Sequence, residues 1–219
     1  MENLIEAVRD VLSGMGVNHM SVANDSIRFF SAVTENDDKR AADYHLTCLV
    51  VKIAGENTAL VSVSLEPDSE KNSYVFFEHL NDLGVLFALS APPTRGVTMG
   101  LGPNSHKLED LSCVFPMCVA YVDTETTFTA VFAVVQALKR ACTTFSHMFS
   151  SIMDIVDGKL TGKEAFYATV ETAKKAGARM LNLTEEPGDK IIRQQDPADE
   201  KPEDPVTPFG PGYFGPAGN

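Results

Sequence analysis

One apolar seam dominates this sequence. Phe128, Phe132, Val135, Leu138, Cys142, Phe145, Phe149, Ile152 and Val156 follow one another at steps of three and four without a break. That spacing predicts a single helix of about 30 residues, roughly 45 Å long at 1.5 Å per residue. Globular helices usually run to about 10–14 residues, and an ordinary strand spans only about 17–20 Å. A helix this long therefore bends, with Thr143 and Thr144 as the candidate point, or carries one end past the sheet that it covers. The distal residues Phe145, Phe149, Ile152 and Val156 are expected to need a cover, and a monomer rarely leaves such a patch bare. A second copy of the chain is the expected cover, with the final helix or the tail as the other choices.

The preceding chain alternates helix and strand signals. Leu4, Ile5, Val8, Val11 and Leu12 keep helical spacing, and Gly14 and Gly16 stop it. Strands are expected at Ser26–Val33, Tyr44–Ala54 and Thr58–Leu65, the last two joined by the hairpin residues Gly55, Glu56 and Asn57. Val61, Val63 and Leu65 alternate with Ser62 and Ser64, so one face of that strand is buried and the other wet. Pro67, Asp68 and Ser69 signal a helix start. Phe76, Phe77, Leu80 and Leu83 share one face of that helix, and Gly84 is expected to end it. The runs VLFALSAP and GVTMGLGP flank a Pro-Pro-Thr-Arg-Gly turn and read as a second hairpin. Leu111–Val122 is a further strand candidate, and Pro116 within it points to an edge position or a bulge. After the long helix, Thr161–Glu164 (TGKE) is a capping box opening a last, weakly amphipathic helix with Phe166, Val170 and Ala173 on its apolar face.

Together these elements predict an α+β fold. It has a mostly antiparallel sheet of five to six strands, helices packed on one face, and the order α-β-β-β-α-β-β-(β)-α. Residues 1–157 form the expected domain, 158–183 a peripheral helix and 184–219 a tail. Seven of the 12 prolines lie beyond Thr184, and acids dominate from Glu185 to Asp204, so the tail cannot bury enough apolar surface to fold alone. Its aromatics Phe209, Tyr213 and Phe214 suit an arm that docks on a neighbouring surface.

Charge narrows the function. A net charge of −12, with no dense stripe of Lys or Arg, disfavours phosphate backbones and hence nucleic acid. No apolar run is long enough to span a bilayer, and MENLIEAVRDVL does not read as a signal peptide, so a cytoplasmic protein is expected. The four cysteines, Cys48, Cys113, Cys118 and Cys142, form no CxxC and sit in apolar surroundings, as reduced core residues do.

No catalytic, metal or cofactor site is expected. Glu78 and His79 are adjacent on the predicted helix and point about 100° apart, which prevents an acid–base pair. Cys113, Cys118 and His106 lack metal-ligand spacing and a thiolate-stabilising environment. MGLGPNSH carries neither a phosphate-loop nor a dinucleotide motif.

The order of elements, with HLNDLG (His79–Gly84) closing the middle helix before a hairpin, resembles the YbjN domain family and its structural relatives, the class I type III secretion chaperones. The resemblance covers residues 1–157. It implies an acidic, non-enzymatic chaperone-like module that dimerises and holds an extended segment of a protein partner, and it brings no catalytic residue with it. The partner-binding residues expected on this reading are Phe145, Phe149, Ile152 and Val156 of the seam and Phe209, Tyr213 and Phe214 of the arm. Two other readings remain open: an assembly subunit of a phage or secretion-type machine that grips its neighbours with the arm, and a thiol enzyme using Cys113 or Cys118.

Overall fold

The structure is a computed structural model that describes residues 3–33, 38–53, 55–69, 74–90, 97–103 and 114–175. Helix α1 (Leu4–Gly14) starts at Asn3, whose side-chain oxygen accepts from the Ile5 N–H at 3.2 Å. It ends where Gly16 turns to φ 89°, a conformation that suits glycine. The strands are β1 (Met20–Ala23), β2 (Ser26–Ala32), β3 (Tyr44–Lys52), β4 (Thr58–Pro67), β5 (Thr98–Pro103) and β6 (Val114–Asp123). They form one six-stranded sheet in the order β1-β2-β3-β4-β6-β5, and every described pairing is antiparallel. Helices α2 (Leu80–Ser90), α3 (Thr127–Val156) and α4 (Gly162–Lys175) complete the described fold. The expected α+β class is therefore found, with four strands before α2. The edge strand Met20–Ala23 was not anticipated, because its four residues carry too little pattern.

One face of the sheet is apolar along every central strand. Ile27 and Phe29, Leu46, Cys48 and Val50, Val61, Val63 and Leu65, and Cys118, Ala120 and Val122 are all buried there. Helix α3 lies over β3, β4 and β6; α1 packs on α3, β2 and β3; α2 packs on β5, α3 and α4. This helical layer closes the core.

The middle helix is displaced from its expected place. Phe76 lies in a turn and Phe77–His79 form a short 3-10 segment, and the α-helix begins only at Leu80. Val85–Ser90, expected as strand, continues that helix, and Gly84 lies inside it. A short apolar run reads equally as buried strand or buried helix. Burial of Leu83, Leu86 and Phe87 at helical spacing decides for helix.

Helix α3 has the expected 30 residues, and its distal seam is buried as expected, but by the chain's own elements and not by a second copy. Phe145, Phe149 and Ile152 are fully buried within the single chain, and Val156 is half-buried against the same core. The Tyr44 ring meets Phe149 edge-on, with centroids 5.6 Å apart. The exposed end is the first two turns, where Phe128 is 83% and Phe132 53% exposed. Three of the four distal seam residues thus lie under the chain's own elements.

Helix α4 is built into the helical layer. Its capping box forms as expected, with the Thr161 N–H donating to Glu164 Oε2 at 2.8 Å. The Gly162 N–H donates to Asp82 Oδ1 at 2.8 Å, and a Cβ at Gly162 would overlap the Asp82 carbonyl. Ala165, Thr169 and Val170 are buried, and Thr169 Oγ1 donates to Ser151 Oγ of α3 at 2.8 Å.

Candidate protein-binding surface

The opposite face of the sheet has no described helix over it, and its side chains follow from the strand registers. Val51 opposes Leu60, which opposes Tyr121; two residues along, Leu49 opposes Ser62, which opposes Val119. On β2, Arg28 opposes Leu49 and Phe30 opposes Thr47. Ile53 extends the apolar line one step beyond Val51. Phe30 is 59% and Tyr121 61% exposed, and Leu49, Val51, Leu60 and Val119 are half-buried.

Strands lie about 4.8 Å apart and two residues advance about 6.8 Å. From β2 to β6, and from the Phe30 row to Ile53, the apolar strip thus covers on the order of 300 Å². Patches of this size on a monomer are often functional.

Polar groups frame the strip. The Arg28 guanidinium carbon lies 5.1 Å from the centroid of the Phe30 ring. Arg28 Nε is buried and without a hydrogen-bond partner, and its side chain makes no ion pair among the described residues. Phe30 meets the His45 ring edge-on at 5.2 Å, and His45 Nδ1 lies 2.6 Å from Asp68 Oδ1. At the β1–β2 edge, His19, Met20, Ser21, Arg28 and Phe30 line an open depression of about 400 Å³. Deeper on this face Ser64 Oγ donates to Glu66 Oε1 at 2.6 Å, both side chains being buried.

The expected site residues divide in two. Phe145, Phe149 and Ile152 lie in the core and Val156 at its margin, as described above. Phe209, Tyr213 and Phe214 lie outside the described residues, as do Cys113 and His106. The uncovered strip itself escaped the sequence reading, which took the outward positions of β4 as wet. The available signal was the run LTCLVV, Leu46–Val51, which is apolar at nearly every position. A strand apolar at both parities puts apolar side chains on both faces of its sheet.

Cys48, Cys118 and Cys142 are the described cysteines, and a hydrogen bond from Cys48, against the opposing effect of burial, lowers the Cys142 thiol. Cys48 Sγ and Cys142 Sγ are 3.9 Å apart between β3 and α3. With Cys48 as donor, that contact and burial push its thiol well above its usual range. Burial, helped by Cys142, pushes the Cys118 thiol up to about 12, the opposite of what a thiol nucleophile needs. Among the described residues no group of three His, Cys, Asp or Glu is placed to hold a metal ion, and no helix is long and apolar enough to cross a membrane. Set against family models, curated proteins and solved structures, the chain shows no match.

Proposed function

We propose that this chain is a non-enzymatic protein-binding module, acting in the cytoplasm, that holds an extended segment of another protein on its uncovered sheet face. The observation that carries the reading is the in-register apolar strip of Leu49, Val51, Leu60, Val119 and Tyr121, which no described helix covers. Its size agrees with the occupant. A standard protein–protein interface buries about 800 Å² on each partner. A strip of about 300 Å² suits a peptide laid across the strands. The resemblance to the YbjN and class I type III secretion chaperone families adds little to this reading, because HLNDLG opens α2 instead of closing it and four strands precede that helix. The homodimer expected from the seam loses its ground, because the chain covers the distal seam itself. Of the two cysteines in the thiol-enzyme reading, Cys118 is buried, which counts against it as a nucleophile, and Cys113 lies outside the described residues.

The test is titration of the ¹⁵N-labelled protein with a panel of extended peptides rich in Phe, Tyr and Leu. Binding should shift the amides of Val51, Leu60, Val119 and Tyr121. The double variant Phe30→Ser, Tyr121→Ser should weaken it at least tenfold while unfolding free energy changes by less than about 1 kcal/mol. A protein that binds such peptides through its helical layer, or not at all, overturns the reading.

A further inference from the structure

We propose that the chain carries its own ligand for this face: the segment Pro202–Phe214 lies across the uncovered strip of the same molecule and must be displaced by a client. The proposal rests on the reading of that strip as a peptide site.

The segment has the right form. Pro202, Pro205, Pro208 and Pro211 recur every three residues. Three residues per turn is the period of the polyproline II helix, which advances about 3.1 Å per residue. With no N–H at every third position, such a segment cannot add to a sheet edge as a regular strand. It can lie on a face, where aromatic side chains receive polyproline segments.

Charge and spacing fix the direction. Glu203 and Asp204 precede Pro205, and Arg28 stands at one side of the strip without an ion pair among the described residues. Tyr121 stands at the other side, three strands away and one step along. At about 4.8 Å per strand and 6.8 Å per step, Arg28 and Tyr121 are roughly 16 Å apart. Asp204 and Phe209 are five residues apart, or about 16 Å in polyproline geometry. A carboxylate on Arg28 therefore sets Phe209 beside Tyr121 of β6 and Leu60 of β4, and Tyr213 and Phe214 reach about 12–16 Å further, past the β6 end of the strip.

Reach is ample. Twenty-six residues separate Lys175, the end of α4, from Pro202. Fully extended they span up to roughly 90 Å, more than twice the diameter of a body this size, about 35–40 Å. A tethered ligand acts at an effective concentration near millimolar. At ordinary protein concentrations it therefore outcompetes the same segment of a second copy, and a client must displace it.

The test uses the full chain throughout. The triple variant Phe209→Ser, Tyr213→Ser, Phe214→Ser should shift the amides of Val51, Leu60, Val119 and Tyr121 relative to wild type and leave the helical layer unchanged. Arg28→Glu should give the same pattern, and adding Asp204→Arg should restore part of the wild-type spectrum. A synthetic peptide spanning residues 202–216 should bind the triple variant at least tenfold more tightly than it binds wild type. If the triple variant leaves those amides in place while peptides from the panel above still shift them, the segment is not the occupant and the binding face stands. If neither the segment nor any panel peptide shifts them, both readings fall. If the wild-type pattern changes with protein concentration, the occupant comes from a second copy and the intramolecular proposal is overturned.

Discussion

Phe76 and Phe77 are neighbours with opposite fates. Phe76 is fully buried, its ring 6.2 Å from Tyr44 and 6.1 Å from Phe115, whereas Phe77 is 44% exposed. The helical spacing sets both on one face of a helix. A turn followed by a 3-10 segment rotates the two apart, and Phe76 alone enters the core. Phe76→Ala should therefore lower the unfolding free energy by about 3–5 kcal/mol, and Phe77→Ala by less than about 1 kcal/mol, in urea titrations. Equal losses at the two positions would restore the original helix. Gly162 invites a second comparison. An added methyl group there meets the Asp82 backbone, which cannot rotate away, so Gly162→Ala should cost about 1–3 kcal/mol despite its better helix propensity. A gain in stability would mean that α4 does not seat against α2 as described.

At the scale of elements, α3 shows what a sequence can and cannot reveal. Its length was legible because nine apolar positions keep step. Which half of the seam lies covered depends on residues far away in the chain, among them Tyr44 and α4, and no local pattern records that. Pro116 is a similar case. Its strand is interior, between β4 and β5, yet the β4 ladder stops at Met117, so the missing N–H falls where only β5 is a neighbour. For α3 the consequence is concrete: Phe149→Glu should unfold the monomer, with lost helical circular dichroism, and should not merely separate two copies.

The end of α3 is tied down by Arg40, which contacts Asp38, Asp154 and Asp157. Hydrogen bonding from Arg40, against the opposing effect of burial, holds the Asp38 carboxyl at about 2. A depressed carboxyl pKa contributes stability above the unfolded value near 3.9 and loses it as pH falls towards 2. The native protein should thus lose on the order of 2 kcal/mol from this contact between about pH 5 and pH 2. Arg40→Gln should remove most of that pH dependence. Urea midpoints measured at several pH values for both proteins decide it, and parallel curves would show that Asp38 is not held by Arg40.

For the whole molecule the question is what meets the sheet face that no described helix covers. Two copies meeting through it would bury only about 300 Å² each, well below the roughly 800 Å² of a stable interface. A net charge of −12 adds repulsion between copies at low salt. The distal seam, the other candidate for self-association, is already covered. Sedimentation should therefore give the mass of one 23.7 kDa chain from micromolar to near-millimolar concentration. The double variant Phe30→Lys, Tyr121→Lys changes two exposed side chains; it removes the Phe30 ring contacts with Arg28 and His45 but leaves the core intact, so its unfolding free energy should fall by no more than about 1 kcal/mol. It should also stay monomeric, while losing the peptide binding proposed for this face. A wild-type dimer that this variant dissolves would make the strip an interface between copies. A wild-type dimer that survives in the variant would move the interface to the exposed start of α3, at Phe128 and Phe132.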